Sequence, residues 1–255
     1  MISKKELAEY AKVTALNMGQ AEKDYFQNIL LFIIYQAYST GAVFKGGTAL
    51  KKCYGLSRFS EDLDFTFTEK FDAKDIEKGI ERFKIDSRIQ TKKYENGIKI
   101  ILKIKGPLYT GVPQSLCNLV IDVSFRESVI LPPVVKTIGR FLEEIPAFDV
   151  FVMEEKEIFA EKIRAVLSRS KARDVYDIWF LLNKGVEVDE NILEEKFKYY
   201  KQSWNFKEFE TRINSVSRIW ESELRYQLKI LPDFNEVKKL ILSKAKKWKF
   251  KKRIR

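Results

Sequence analysis

Histidine is absent from all 255 residues of this chain. The absence excludes serine–histidine and cysteine–histidine nucleophile pairs, histidine acid–base catalysis and the zinc chemistry of H-E-x-x-H motifs. Two cysteines are also too few for a thiolate zinc site. Metal chemistry in this chain would therefore use carboxylate oxygens, which suit hard ions such as Mg²⁺ or Mn²⁺.

The sequence also lacks the patterns of disulfide-bonded, secreted and membrane proteins. Cys53 and Cys117 form neither a C-x-x-C pair nor a disulfide framework, which suits a reducing cytoplasm. No basic segment followed by an apolar segment marks a signal peptide. The most apolar run, residues 29–35, is much too short to span a bilayer. We therefore expect a cytoplasmic protein with no membrane partner.

Acidic residues are missing from the C-terminal end. The formal net charge is +11, but residues 238–255 hold ten Lys or Arg and no acid. The preceding residues carry 37 basic and 36 acidic side chains, so they are nearly neutral. Trp248 and Phe250 lie among these lysines. Such a tail can neutralise phosphates and stack on bases, or it can be a solvated end with both aromatic residues packed on the domain.

The periodicity of apolar residues changes near residue 153. Before that point predicted strands and helices are mixed, with a hairpin signal at Asn96-Gly97, and after it the periodicity is helical only. We predict an α+β fold. Residues 1–153 would form a mixed sheet flanked by helices, and residues 154–255 a helical domain that ends in the basic tail.

A glycine pair and two carboxylates stand close together in the first half. Gly46 and Gly47 lie where a short strand, residues 42–44, is predicted to turn into a helix. Glycines at a helix N-terminus leave backbone N–H groups free to hold phosphate oxygens. Asp62 and Asp64 follow on the next predicted strand, where residues two apart point to the same face. The two carboxylates can therefore hold the same metal ions beside a phosphate site, as nucleotidyl transfer requires.

A third carboxylate, Asp122, lies in the middle of an apolar, β-branched run, residues 118–125. A buried carboxylate is costly when unpaired, so Asp122 needs a cation or a hydrogen-bonding partner. We predict that Asp122 completes the metal site nearer the acceptor hydroxyl and helps to deprotonate that hydroxyl. The alternative for Asp62 and Asp64 is a pair of surface aspartates on an edge strand.

The glycine pair, the D-x-D strand and the later strand aspartate together resemble the polymerase-β-type nucleotidyltransferase superfamily. Four segments are more specific: residues 45–50 (KGGTAL), 58–65 (RFSEDLDF), 161–165 (EKIRA) and 173–177 (RDVYD). They resemble the AbiEii/AbiGii toxin family of nucleotidyltransferases.

This resemblance implies an enzyme that moves a nucleoside monophosphate from an NTP to an acceptor and releases pyrophosphate, with Mg²⁺ or Mn²⁺ as cofactor. It implies an RNA acceptor, and tRNA 3′ ends are attractive because their modification stops translation. It also implies a toxin role that a cognate antitoxin neutralises. The helical domain would then complete the nucleotide site.

Residues around the first motif are expected to contact the nucleotide. Lys45 and Arg58 could neutralise triphosphate charge, and the hydroxyl and amide of Thr48 could donate to the phosphates. Ser60 could bind phosphate or only shape the turn. The glycine pair could equally be a helix cap at a tight turn.

The second half contributes further candidates. The resemblance makes Lys162 an active-site lysine. The alternative, an ion pair three or four positions away on the same helix, has no acidic candidate at those positions. Asp174 and Asp177 share one face of the next helix; the resemblance favours Asp174 as catalytic and Asp177 as a nucleotide contact, while Asp174 could instead cap the helix. Arg169 and Arg173 could bind phosphate or form salt bridges.

Three other functions remain open. The same enzyme could modify a small molecule or a protein hydroxyl. The chain could be a non-catalytic nucleotide- or RNA-binding module, although both D-x-D carboxylates and the glycine pair are intact. Clustered acids could also serve a metal-dependent nuclease, but the only nearby E-x-K, residues 154–156, falls on a predicted helix.

Overall fold

A computed structural model describes residues 1–125, 128–139 and 145–248. The strands are β1 (Ala42–Lys45), β2 (Leu63–Phe67), β3 (Ser87–Tyr94), β4 (Gly97–Ile104), β5 (Cys117–Ser124), β6 (Val134–Ile138) and β7 (Phe148–Val152). The helices are α1 (Lys4–Thr14), α2 (Met18–Tyr38), α3 (Gly46–Tyr54), α4 (Ala73–Arg82), α5 (Glu155–Ser168), α6 (Ala172–Asn183), α7 (Glu190–Tyr199), α8 (Phe206–Ser215), α9 (Trp220–Leu224) and α10 (Phe234–Ala245). The predicted α+β class is confirmed.

The chain divides into two compact units. Unit 1 consists of Met1–Cys53, Ser60–Val129 and Pro133–Val152. Unit 2 consists of Tyr54–Phe59, Ile130–Pro132 and Met153–Arg255. The sequence predicts one break near residue 153, whereas the chain also enters unit 2 in two short earlier segments.

Unit 1 is built on a seven-stranded mixed sheet with the order β3-β4-β5-β2-β1-β7-β6. β2 pairs with β5 in parallel and β1 with β7 in parallel, while the other neighbours are antiparallel. Alternation along β2 and β5 places Leu63, Phe65, Ile121 and Val123 on a fully buried face. Helix α2 packs against β1, β5 and β7. The acidic side chains of β2 and β5 therefore lie on the opposite face.

Helix caps explain where unit 1 helices begin. Ser3 and Glu6 form a capping box at the start of α1. Asn17 and Gln20 form a second capping box at the start of α2. Strand β6 begins directly after Pro132 and Pro133.

Unit 2 contains α5 to α10, and α5 packs against α6, α7 and α8. A 3₁₀ turn (Val216–Arg218) separates α8 from α9, so residues 206–224 do not form one continuous helix. Trp248 contacts the rings of Phe159, Trp204 and Phe209, so this aromatic residue of the tail packs on unit 2. Residues 238–245 of the tail belong to α10, whereas residues 249–255, which include Phe250, lie outside the described residues. Among the helices described, none combines the length and apolar character that crossing a membrane requires.

Candidate functional site

The turn from β1 into α3 brings the glycine pair against a carboxylate. Strand β1 ends at Lys45 and α3 begins at Gly46, whose φ of +74° lies in the left-handed region that favours glycine. A Cβ at Gly46 would lie 2.3 Å from Oδ2 of Asp64. Such a contact is impossible without displacing the carboxylate, so the absence of a side chain at residue 46 is what lets Asp64 approach the helix start.

The strand register aligns charged residues across the open face of the sheet. Asp64 pairs with Asp122 on parallel β5 and with Lys45 on antiparallel β1. Asp122 pairs with Lys99 on β4, and Lys99 with Lys92 on β3. These five residues form one row across five neighbouring strands. The sequence predicted that Asp122 completes a metal site with Asp62 and Asp64, but not that Asp64 and Asp122 would be direct neighbours.

Asp62 directly precedes β2, and its backbone is held by α3. The hydroxyl of the fully buried Thr48 donates to the Asp62 carbonyl oxygen. The hydroxyl therefore has a structural role in place of the predicted phosphate contact. Phosphate binding by the Thr48 amide stays a prediction. The carbonyl of Ser60 accepts a hydrogen bond from the Gln27 amide at 2.9 Å, which fixes the approach to β2.

Asp122 has the partners that its position demands. The Tyr94 hydroxyl donates to Asp122 Oδ1 at 2.5 Å, and Lys99 Nζ lies 3.2 Å from Oδ2. These contacts satisfy the carboxylate without a metal ion, so the strand position alone does not require one. The role of Asp122 as a metal ligand stays a prediction.

The hairpin register explains why sequence reading missed Tyr94 and Lys99. The signal Asn96-Gly97 suggests those two residues as the turn, but Gly97 is the first residue of β4 and pairs with Tyr94. A Cβ at Gly97 would lie 2.3 Å from the Tyr94 hydroxyl oxygen. Gly97 therefore provides space for the Tyr94 ring, which then reaches Asp122.

The donor set of this face suits a metal held partly by substrate. Asp62 and Asp64 supply hard oxygen ligands, and Mg²⁺ is commonly bound by one or two carboxylates together with substrate phosphates. Among the described residues, no group of three or more His, Cys, Asp or Glu is arranged to hold a metal ion. A two-carboxylate site completed by phosphate is compatible with that finding, and the contact of Gly46 with Asp64 places the glycine turn at the start of α3 beside it.

Unit 2 holds a separate cluster of buried charges. Arg58 is fully buried and forms two hydrogen bonds with Asp177, Nε to Oδ1 and Nη2 to Oδ2, both at 2.6 Å. Lys162 Nζ lies 2.9 Å from Asp177 and 3.1 Å from Asp174. Arg169 donates to Asp174 from the exposed end of the cluster, with half of its side chain in solvent. Three cations thus neutralise two carboxylates of α6 that are inaccessible to solvent.

The cluster holds Asp174 and Lys162 in their charged forms. Burial alone would raise the pKa of Asp174, but Lys162 and Arg169 outweigh it and hold that pKa below its ordinary value. Burial alone would lower the pKa of Lys162, but Asp177 and Asp174 hold it above its ordinary value. Lys162 is therefore a fixed cation at neutral pH and cannot act as a general base.

Several predictions for these residues need correction. Arg58 was expected to neutralise triphosphate, but its buried guanidinium donates to Asp177 and to the Phe59 carbonyl, which argues against that role. Asp174 does not cap α6, because Lys171 occupies the N-cap position. Lys162 does form ion pairs, with Asp174 and Asp177 of the next helix, whereas the prediction considered only acidic residues on its own helix. Asp177 faces Arg58 and Lys162, and its role as a nucleotide contact stays a prediction.

Arg173 differs from its neighbours. It is half-buried in the first turn of α6, and no described acidic side chain lies within salt-bridge distance of it. Of the two arginines, Arg169 forms a salt bridge with Asp174. Phosphate binding by Arg173 stays a prediction.

Comparisons with known proteins agree with the motifs. A family model described as nucleotidyl transferase AbiEii toxin, type IV TA system, matches residues 29–253. An uncharacterized protein of Aquifex aeolicus (strain VF5) is 27% identical over 206 residues, which cover 80% of this chain and 85% of the relative.

Two solved structures share the fold. MenT4, a nucleotidyltransferase toxin of Mycobacterium tuberculosis H37Rv, matches with a TM-score of 0.67 and 17% identity over 96% of this chain and 88% of its own. JHP933 from Helicobacter pylori matches with a TM-score of 0.55 and 20% identity over 91% of this chain and 92% of its own. The family match covers most of the chain and includes both motif regions. The chain is therefore a nucleotidyltransferase and belongs to the AbiEii toxin family of type IV toxin–antitoxin systems.

Proposed function

We propose that this enzyme transfers a nucleoside monophosphate from an NTP to RNA, with tRNA 3′ ends as the acceptor. Family membership implies an NTP substrate and a cognate antitoxin. The RNA acceptor, the divalent metal and a cytoplasmic location are our proposals. NTPs and tRNA meet in the cytoplasm, where a toxin that blocks translation would act.

One observation carries the proposal: the Asp64 carboxylate lies directly against the Gly46 backbone, where even a Cβ would not fit. A phosphate held by amides at the start of α3 would lie next to a carboxylate that can share a metal ion with it. Burial of the opposite face of β2 fixes the direction in which Asp64 points. This juxtaposition is what phosphoryl chemistry on a nucleotide requires.

Asp62 and Asp64 are the residues proposed to hold Mg²⁺ or Mn²⁺. When bound, the metal would stabilise charge on the attacking and leaving oxygens of the transfer. The hydrogen bond from the Thr48 hydroxyl to the Asp62 carbonyl oxygen fixes the backbone of Asp62 relative to α3. Lys45, next to Asp64 in the register, is proposed to offset negative charge of the triphosphate.

Asp122 is proposed to accept the proton of the acceptor hydroxyl. Its neighbours Tyr94 and Lys99 hold one oxygen each and orient the carboxylate. Lys162 is proposed to stabilise phosphate charge as a cation whose position is set by Asp174 and Asp177. Arg173 is proposed to contribute a further phosphate contact.

The test is incubation of the purified protein with Mg²⁺, total tRNA and each α-³²P-labelled NTP in turn. An Asp64→Ala variant is the matched control. We expect label to move to tRNA with the wild-type protein only, and with one preferred nucleotide.

The other outcomes identify the alternatives. Absence of label on RNA, with pyrophosphate released when cell extract is added, would replace RNA by a small molecule or a protein hydroxyl. Absence of reaction under both conditions, with NTP binding retained, would favour a binding module. Equal labelling by the Asp64→Ala variant would contradict the assignment of the site.

A further inference from the structure

The hairpin of β3 and β4 carries an excess of positive charge. Between Ser87 and Ile104 there are five basic residues and one acidic residue, Glu95. Alternation places Arg88, Lys92, Lys99 and Lys103 on the open face of the sheet, because Ile98, Ile100, Leu102 and Ile104 point to the buried face. We call these four residues the basic face.

The basic face places like charges opposite each other. Arg88 pairs with Lys103 and Lys92 pairs with Lys99 in the strand register. Like charges directly opposite in an antiparallel pair are destabilising. Among the described acidic side chains, Asp122 forms an ion pair with Lys99 and none pairs with the other three residues of the basic face. Arg88, Lys92 and Lys103 are exposed, and none of the described acidic side chains forms an ion pair with them.

Protection of a sheet edge explains only part of this pattern. Lysines on an exposed edge strand discourage pairing with other chains, and β3 is an edge strand. Lys103, however, lies on β4, which is paired on both sides. The Arg88–Lys103 pair has no acidic partner among the described side chains, and protection of the edge does not account for it.

The basic face runs directly into the carboxylates. Lys92, Lys99, Asp122 and Asp64 are consecutive members of one row. With neighbouring strands about 4.8 Å apart, Lys92 is about 14 Å from Asp64 across the sheet. Tyr94, 40% exposed, lies at the end of β3 next to Asp122. A polyanion bound along this face would be led to the row that holds the carboxylates.

We propose that the basic face is the acceptor-binding surface, and that its partner is the phosphate backbone of RNA. This inference rests on the proposed transfer to RNA. Lys99 connects the proposed RNA-binding surface with the proposed catalytic carboxylate, because it belongs to the basic face and contacts Asp122. The partner is assigned by charge, since Arg88, Lys92 and Lys103 form a patch of positive charge with no acidic partner among the described side chains, and phosphates complement such a patch.

The test compares R88Q/K92Q/K103Q with a control of equal charge change, K5Q/K12Q/K74Q. The control lysines are exposed, lie on α1 and α4, and have no acidic partner among the described residues. The dissociation constant for total tRNA is measured by fluorescence anisotropy at several salt concentrations. Nucleotidyl transfer to tRNA is measured on the same preparations.

We expect the basic-face variant to bind tRNA about tenfold or more weakly, with the salt dependence reduced by about two phosphate contacts, while the control binds like the wild type. A charge reversal, R88E/K92E/K103E, should enlarge the effect. Circular dichroism checks that each variant is folded, and the glutamine variant suffices if the reversal is not.

Equal tRNA binding by the basic-face variant and the control would overturn this inference, while transfer to tRNA by both would leave the proposed function standing. Weaker tRNA binding of the basic-face variant, together with no transfer by the wild type, would support the surface and refute the proposed reaction. Tighter binding of the wild-type protein to polyglutamate than to tRNA, lost in the basic-face variant, would overturn the inference in favour of an acidic protein partner.

Discussion

Each unit of this protein contains a set of aspartates, and the two sets are treated in opposite ways by the fold. Asp174 and Asp177 of unit 2 are inaccessible to solvent and are neutralised by Arg58, Lys162 and Arg169. The carboxylates of unit 1, Asp62, Asp64 and Asp122, are half-buried on the open face of a sheet.

The difference separates stability from chemistry. A buried carboxylate with fixed cations contributes to a unique structure, and removing one partner leaves an uncompensated buried charge. A carboxylate on an open face can still bind a ligand, and its loss leaves the packing intact. The two sets should therefore respond differently to the same substitution, aspartate to asparagine.

The largest effect is expected for Asp64→Asn on activity. Loss of one metal-binding charge should lower transfer by about a thousandfold, or about 4 kcal/mol of transition-state stabilisation. Urea unfolding should detect a change in stability below about 1 kcal/mol. A large loss of stability without loss of transfer would place Asp64 with the structural carboxylates.

Asp177→Asn should have the opposite signature. The substitution removes the charge that faces both Arg58 and Lys162, so the free energy of unfolding should fall by about 3–5 kcal/mol. Urea unfolding measures this directly, and transfer is assayed at a temperature where the variant is folded. Full stability combined with lost transfer would break the comparison and support the predicted nucleotide contact of Asp177.

The pH dependence of stability should also distinguish the buried set. The pKa of Asp174 is lower in the folded protein than its ordinary value, so its contribution is complete above about pH 4 and is lost as the pH falls through the folded pKa. The difference in unfolding free energy between wild type and Asp174→Asn should be constant from pH 7 to pH 5. It should shrink below pH 4, and a difference that grows there would contradict the assignment.

The smallest effect is expected for Arg169→Ala. Half of the Arg169 side chain is in solvent, where an ion pair contributes little, so the loss should be about 1 kcal/mol or less. Urea unfolding beside Asp177→Asn makes this a matched control within one cluster. A decrease in the free energy of unfolding as large as that of Asp177→Asn would show that burial does not determine how much each of these ion pairs contributes to stability.

Features of this protein that depend on local patterns were predictable from the sequence. The glycine turn, the D-x-D strand and the α+β class follow from periodicity, capping and turn residues that lie within a few positions of each other. Features that depend on distant residues were not. Asp177 is 119 residues from Arg58, and no local signal links them.

The contacts of Asp122 depended on the register of one hairpin. If Asn96-Gly97 is taken as the turn, β3 is placed in a shifted register against β4. The contact of Tyr94 with Asp122 cannot be predicted from that register. The prediction that Asp122 has a partner was correct, although its carboxylate is half-buried rather than buried. The identity of that partner needed the register.

The short segment Tyr54–Phe59 has a practical consequence for anyone who divides this protein. It follows α3 and precedes β2, yet it belongs to unit 2, where Arg58 meets Asp177. A chain truncated after residue 153 would retain the arginine and lose its counter-ion. Neither unit is a continuous stretch of sequence, and any single cut between residues 58 and 177 separates Arg58 from Asp177 and so breaks a buried charge pair.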